Sequence, residues 1–167
     1  MKIVAIDFET ANRSPLSACA LGLAVFEDQE LIESPYWLIK PPKGHGWFRE
    51  DWTADIHGIS WFDVRGKPEF SSIALEVTAR LATADLVVAH NAQFDLRVLH
   101  ALLDHFQVPA PPFQHQCPLD LARQTWPHLP NHQLSTLAAH IGCDLNHHHA
   151  QSDAIAAGRV MLAKLVL

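Results

Sequence analysis

The chain has 167 residues, 49% of them hydrophobic and 18% charged, with a formal net charge of −6. That is the makeup of a folded globular domain, and it excludes a disordered chain. The acidic balance also speaks against a protein that coats nucleic acid through its overall charge. No apolar run approaches the roughly 20 residues needed to cross a bilayer, and the N-terminus enters a strand pattern directly, without a signal peptide. A single cytoplasmic domain covering residues 1–167, with no membrane association, is expected. Cys19, Cys117 and Cys143 show no CxxC spacing and predict free thiols, not a disulfide framework.

In chain order, Lys2 to Phe8 reads as a buried strand with an exposed C-terminal end. Ala18 to Phe26 and Glu30 to Ile39 read as an antiparallel hairpin, with Pro35 placing the second strand at an edge or interrupting it. Lys40 to Lys67 is rich in Gly, Pro and aromatic residues and predicts a long loop with one short helix; Lys40, Lys43, Arg49, Arg65 and Lys67 fall within it. Ser71 to Ala82 predicts a helix capped by Ser71, and Asp85 to Ala89 a short buried strand. Phe94, Val98, Leu102 and Phe106 share one face of the next helix. A third helix is capped by Asn131 and stopped at Gly142, and a last one covers roughly Ala150 to Val166. The order predicts an α/β class with a mixed sheet.

Charge sits at three element ends. Asp7 and Glu9 flank Phe8, so a strand period of two points both carboxylates the same way. In His90-Asn91-Ala92-Gln93-Phe94-Asp95, Asp95 lies in a first helical turn, where the helix dipole alone would explain it, and Asn91 is placed to cap. His148 stands five residues before Asp153, which lies on an otherwise mostly apolar helix. Each feature has a bland explanation; together they give carboxylates that repel one another unless cations compensate them. All-oxygen ligation suits Mg²⁺ or Mn²⁺, and a pair of such ions suits a phosphodiester substrate.

The segments IDFET, HNAQFD and HHHAQSDA resemble the motifs of the DEDDh 3′→5′ exonucleases, a family that includes bacterial proofreading subunits, exonuclease X-like enzymes, RNase T and oligoribonuclease. ADIHGIS (54–60) and LARQTWPHLPNHQLSTLAAHIG (121–142) extend the resemblance over nearly the whole chain. It implies an RNase H-like three-layer fold, with a central mixed five-stranded sheet flanked by helices. It also implies two divalent ions held by Asp7, Glu9, Asp95 and Asp153, with His148 as general base; His147 or His149 would serve if the local alignment slips by one. Backbone groups near Phe8 and Thr10 would hold the terminal nucleotide. His57 and Ile59 would pack against the last bases, and Asn91 would orient Asp95 or the phosphate.

The substrate implied is a single-stranded 3′ end, DNA ahead of RNA, with a DNA polymerase or repair complex as a further candidate partner. The sequence ends at Leu167 without a polymerase-binding tail, which favours action alone or contact through the surface. The weighed alternatives are an RNA-directed enzyme, a catalytically silent binding module, and an RNase H or resolvase. The complete carboxylate–histidine set argues against the silent module, and the His148–Asp153 spacing with HNAQFD argues against the last two. A zinc site from His140, Cys143 and His147 to His149 matches no standard spacing. Trp47, Phe48, Trp52, Trp61 and Phe62 make the 45–62 loop unusually aromatic, fit either to stack on bases or to anchor the loop.

Overall fold

A computed structural model describes residues 1–52 and 56–165. Ala54 and Asp55 of the ADIHGIS segment, and Val166 at the expected end of the last helix, lie outside the described residues, as does the side chain of Trp52.

The sheet is built on β1 (Lys2–Thr10), which pairs antiparallel with β2 (Ala18–Glu27) on one side and parallel with β5 (Leu86–Val88) on the other. β3 (Glu30–Glu33) and β4 (Tyr36–Leu38) both pair with β2, and β6 (His115–Gln116) pairs parallel with β5. The mixed sheet is therefore as expected in kind, with six strands among the described residues. The additional strand comes from Pro35, which breaks the expected Glu30–Ile39 strand into two, because proline has no amide proton to give the ladder.

Two helical layers cover the sheet. Side chains of α3 (Ala74–Ala82) and α4 (Ala92–His105) pack with Val4, Ile6 and Phe8 in one core. Side chains of α5 (Pro118–Thr125), α6 (Leu134–Ile141) and α7 (Ala150–Leu165) pack with Ile3 and Ala5 in the other. Strand parity then sends the odd-numbered Asp7 and Glu9 toward the α7 side. Two short helices, α1 (Glu50–Trp52) and α2 (Trp61–Val64), lie in the long loop.

Several expected caps are placed otherwise. Ser71 lies inside a 3₁₀ turn, Phe70–Ser72, that buries Phe70, and α3 begins only after Ile73. Asn131 stands upstream of α6, where its Oδ1 accepts from the Gln133 amide at 3.0 Å and the Thr136 hydroxyl at 2.6 Å, an Asx turn leading into the helix. Asn91 occupies the N-cap position of α4 with a left-handed backbone (φ 65°) and makes no capping bond with its side chain.

Glycine sets how closely α7 docks. A Cβ at Gly22 would stand 2.2 Å from the backbone carbon of Ala150, so the bare backbone of β2 seats the first turn of α7 directly against the sheet. Gly158 gives the same clearance two turns later, where a Cβ would stand 2.2 Å from the Phe26 ring. The turn that carries Asp153 is thereby pinned beside the end of β1.

Candidate active site

Asp7 and Glu9 at the C-terminal end of β1 meet Asp153 in the first turn of α7, with one oxygen from each lying within 4.8 Å of the others. Asp95 approaches from the first turn of α4; it is 1% exposed, and its Oδ1 accepts the Phe8 amide at 2.9 Å. Three elements from three parts of the sequence thus deliver four carboxylates to one place. Asp7, Glu9 and Asp153 border a cavity of about 550 Å³ that is also lined by His90, Phe94, Gln133, His147 and His148, while Asp95 lies buried behind it.

Such a gathering resists ionisation. Burial, then the neighbouring charges of Asp153 and Asp95, push the Glu9 carboxyl up to about 8. Burial raises Asp7 well above the usual carboxylate range, with Asp95, Glu9 and Asp153 adding to it. Asp95 is raised by burial despite the Phe8 amide, and Asp153 is raised by burial despite the adjacent His147. A divalent cation among these oxygens would remove the penalty, which is the electrostatic signature of a metal site.

The three consecutive histidines separate by environment. His147 points Nδ1 at Asp153 Oδ2, 3.0 Å away. His148 gives its backbone amide to the same oxygen at 3.1 Å and has a left-handed backbone (φ 64°). Its ring stacks on His147 at 3.8 Å, borders the cavity and makes no hydrogen bond among the described residues. Burial and the neighbouring His147 lower its proton affinity, against an opposing pull from Asp153, which favours the neutral imidazole. His149 leaves the cavity to stack on Tyr36 at 4.6 Å.

The expected substrate contacts are distributed unevenly. Phe8 lines the cavity, but its amide is engaged by Asp95. His57 joins the loop to the strand end: the Ile59 amide donates to its Nδ1 at 3.0 Å, so Nε2 carries the proton toward the Thr10 carbonyl at 3.1 Å. Asn91 does not border the carboxylate cavity; it lines a neighbouring groove with Gln93 and Arg97. Sequence reading passed over two groups in the cavity. Gln133 carried no motif signal, and His90 was given no role within its segment. The His90 Nδ1 is buried without a partner among the described residues, and burial lowers the ring to about 4, so it stays neutral.

The exonuclease family model matches residues 4–161. PolC-type DNA polymerase III is 36% identical over 118 residues in Oceanobacillus iheyensis, covering 68% of this chain and 8% of that protein. The Streptococcus thermophilus PolC-type polymerase is 31% identical over 161 residues, covering 95% of this chain and 11% of the polymerase. The chain therefore spans about a tenth of the length of these relatives. Among solved structures, exonuclease X in complex with 5′ overhanging duplex DNA superposes with a TM-score of 0.75 at 22% identity, over 98% of this chain and 91% of that one. The nuclease domain of 3′hExo, a DEDDh family member bound to rAMP, superposes with a TM-score of 0.76 at 14% identity, over 99% and 92%. These two likenesses are of fold.

Proposed function

The chain belongs to the DEDDh exonuclease family, and from that premise we propose that it hydrolyses phosphodiester bonds one nucleotide at a time from a 3′ end, releasing nucleoside monophosphates. The observation that carries this reading is the meeting of Asp7, Glu9 and Asp153 oxygens within 4.8 Å, with Asp95 behind them and the unengaged ring of His148 alongside.

The donor set is all oxygen, which fits Mg²⁺ or Mn²⁺ and not a zinc centre built on His and Cys. Asp7, Glu9 and Asp153 would hold the ions, with Asp95 completing the site. When bound, two such ions supply charge neutralisation at the scissile phosphate and acidify the attacking water. The chain's own residues do the rest. His148, whose ring makes no hydrogen bond among the described residues and whose proton affinity is lowered by burial, accepts the proton of the water as it attacks. His147 holds Asp153 in place through Nδ1. Phe8 and Phe94 give the cavity an apolar wall for the terminal nucleoside. His57 fixes the loop backbone at Ile59 against the strand end.

DNA is the favoured substrate. The PolC-type relatives are DNA polymerases, and one structural neighbour is described with duplex DNA bearing a 5′ overhang. On this reading residues 1–167 form one catalytic domain that works in the cytoplasm, alone or beside a polymerase or repair complex. No helix among the described residues is long and apolar enough to cross a membrane. An RNA substrate is the second reading, favoured by the likeness to the rAMP-bound nuclease domain.

The test is digestion of 5′-labelled single-stranded DNA and RNA with Mg²⁺ or Mn²⁺, with EDTA and His148→Ala controls. A metal-dependent ladder shortening from the 3′ end, lost in the variant, supports the proposal, and the faster substrate names the class. Inertness toward both strands with either metal refutes it.

A further inference from the structure

An acidic protein with a carboxylate cleft has to hold a polyanionic strand by some local feature, and the long loop contains a candidate. Lys40, Lys43 and Arg65 line a groove of about 590 Å³, with Glu69 as the acidic residue there. Trp47 and Trp61 form its aromatic walls. Trp47 is 57% exposed and Trp61 38%, while neighbouring Phe62 is 76% exposed. Large apolar side chains left in water together mark a binding surface more often than chance exposure. Here they are interleaved with cations, which selects a partner that is both flat-ringed and anionic.

The cations are available to such a partner. Neither Lys40 nor Lys43 has an ion pair among the described residues, and Arg65 lies over the Phe62 ring at 5.3 Å. Asp63, the nearest acidic residue to Arg65 in sequence, turns its carboxylate to Ser60, accepting the amide at 2.8 Å and the hydroxyl at 2.6 Å.

The groove is also built, and one wall is tied to the chain just beyond the strand that carries Asp7 and Glu9. Asn12 is 1% exposed and spends its side-chain amide on the carbonyls of His45 (3.0 Å) and Trp47 (2.7 Å). The Arg49 amide donates to the Ala11 carbonyl at 3.0 Å, and Ser14 Oγ bonds His45 Nδ1 at 2.8 Å. The wall carrying Trp47 is therefore fastened to residues 11–14, which follow Glu9 and Thr10 directly. On the other wall Trp61 packs against Gly46, where a Cβ would meet its ring at 3.0 Å.

We propose that this groove is a single-strand track, holding the nucleotides 5′ to the one being removed, with bases stacked on Trp47 and Trp61 and phosphates paired with Lys40, Lys43 and Arg65. The proposal rests on the exonuclease reading for the strand's direction, but its chemistry is separate from the carboxylate site. The track supplies affinity where the net charge of −6 would oppose it, and stacking makes it tolerant of sequence.

The experiment is equilibrium anisotropy of a 5′-fluorescein thymidylate strand of about 12 nucleotides, within the range of single-strand site sizes. It is run in EDTA, so that the bare carboxylates contribute only repulsion, and heparin serves as a ring-free polyanion for comparison. Trp47→Ala is expected to raise Kd for the strand roughly 5- to 150-fold, the loss of about one stacked base, while shifting heparin by less than about twofold. The double variant Lys43→Ala/Arg65→Ala is expected to flatten the slope of log K against log salt by about 1.4, the share of two single-strand phosphate contacts. An unchanged salt slope in the double variant, or equal weakening of strand and heparin by Trp47→Ala, overturns the track. Should Trp47→Ala fail to fold, the double variant decides alone. Hydrolysis of a trinucleotide with Mn²⁺ separates the two readings. Cleavage without strand binding in EDTA refutes the track and leaves the catalytic assignment standing, whereas strand binding without cleavage refutes the catalytic assignment.

Discussion

Replacing Glu9 by Gln should stabilise the metal-free protein at neutral pH while destroying its response to metal. Burial and the charges of Asp153 and Asp95 push the Glu9 carboxyl from 4.5 to about 8. A folded-state value above the unfolded one means that the folded protein holds the proton more tightly. The stability Glu9 contributes is thus full below pH 4.5 and is lost as pH rises from there to about 8. At pH 7 the loss relative to a neutral side chain is about 3 kcal/mol, from 1.36 kcal/mol for each pH unit above the unfolded value. Glu9 is only 8% exposed, so solvent screening removes little of it. For a chain of this size the Glu9→Gln protein should melt roughly 6–12 °C higher in EDTA at pH 7. Calorimetric melting at pH 5, 6, 7 and 8, in EDTA and in Mn²⁺, checks this. Wild type should lose stability with rising pH in EDTA more steeply than Glu9→Gln. Mn²⁺ at about 100 times its Kd should restore about 2.7 kcal/mol to wild type and far less to the variant. A variant that melts below wild type in EDTA at pH 7, or an identical pH slope in the two proteins, would refute the repelling-cluster account.

Other substitutions probe the remaining parts of the site. His148→Ala should lower kcat by about 10²- to 10⁴-fold with unchanged circular dichroism, and His147→Ala by less than about tenfold, because the His147 ring is engaged by Asp153 while that of His148 makes no hydrogen bond among the described residues; the reverse order would exchange their roles. Asp7→Ala and Asp153→Ala should each abolish metal-dependent turnover yet keep a cooperative urea transition, since each removes one member of a mutually repelling set. Gly22→Ala should cost about 1–3 kcal/mol in a urea titration and lower kcat as well. Its Cβ would meet the Ala150 backbone at 2.2 Å and displace the turn that carries Asp153.

Much of this architecture was legible because it follows from periodicity. The period of two along Lys2 to Phe8 put Asp7 and Glu9 on one side, and the apolar α7 made Asp153 conspicuous. The parts that were not legible have local causes. β6 is the dipeptide His115–Gln116 and has no length over which a pattern could show. α5, which opens at Pro118 after Cys117, was not among the expected helices. Ser71 and Asn131 are good caps by type, but the burial of Phe70 and the Asx turn at Asn131 moved the helix starts downstream. The family resemblance points to His148 ahead of its neighbours, yet the partition of Asp153 between the His147 ring and the His148 amide depends on a left-handed backbone that three identical residues in a row do not announce. The groove of Trp47 and Trp61 was foreshadowed only as an excess of aromatic residues. Its walls depend on the buried Asn12, whose bonds to residues 45 and 47 span more than thirty positions.

The central claim is tested most directly by the first product released from a 3′-labelled single strand of DNA in Mn²⁺. The account predicts labelled nucleoside monophosphate at the earliest time point, before any shorter oligonucleotide carries label, with none from Asp153→Asn or in EDTA. Label first released within oligonucleotide fragments, or release that persists in Asp153→Asn, would contradict it.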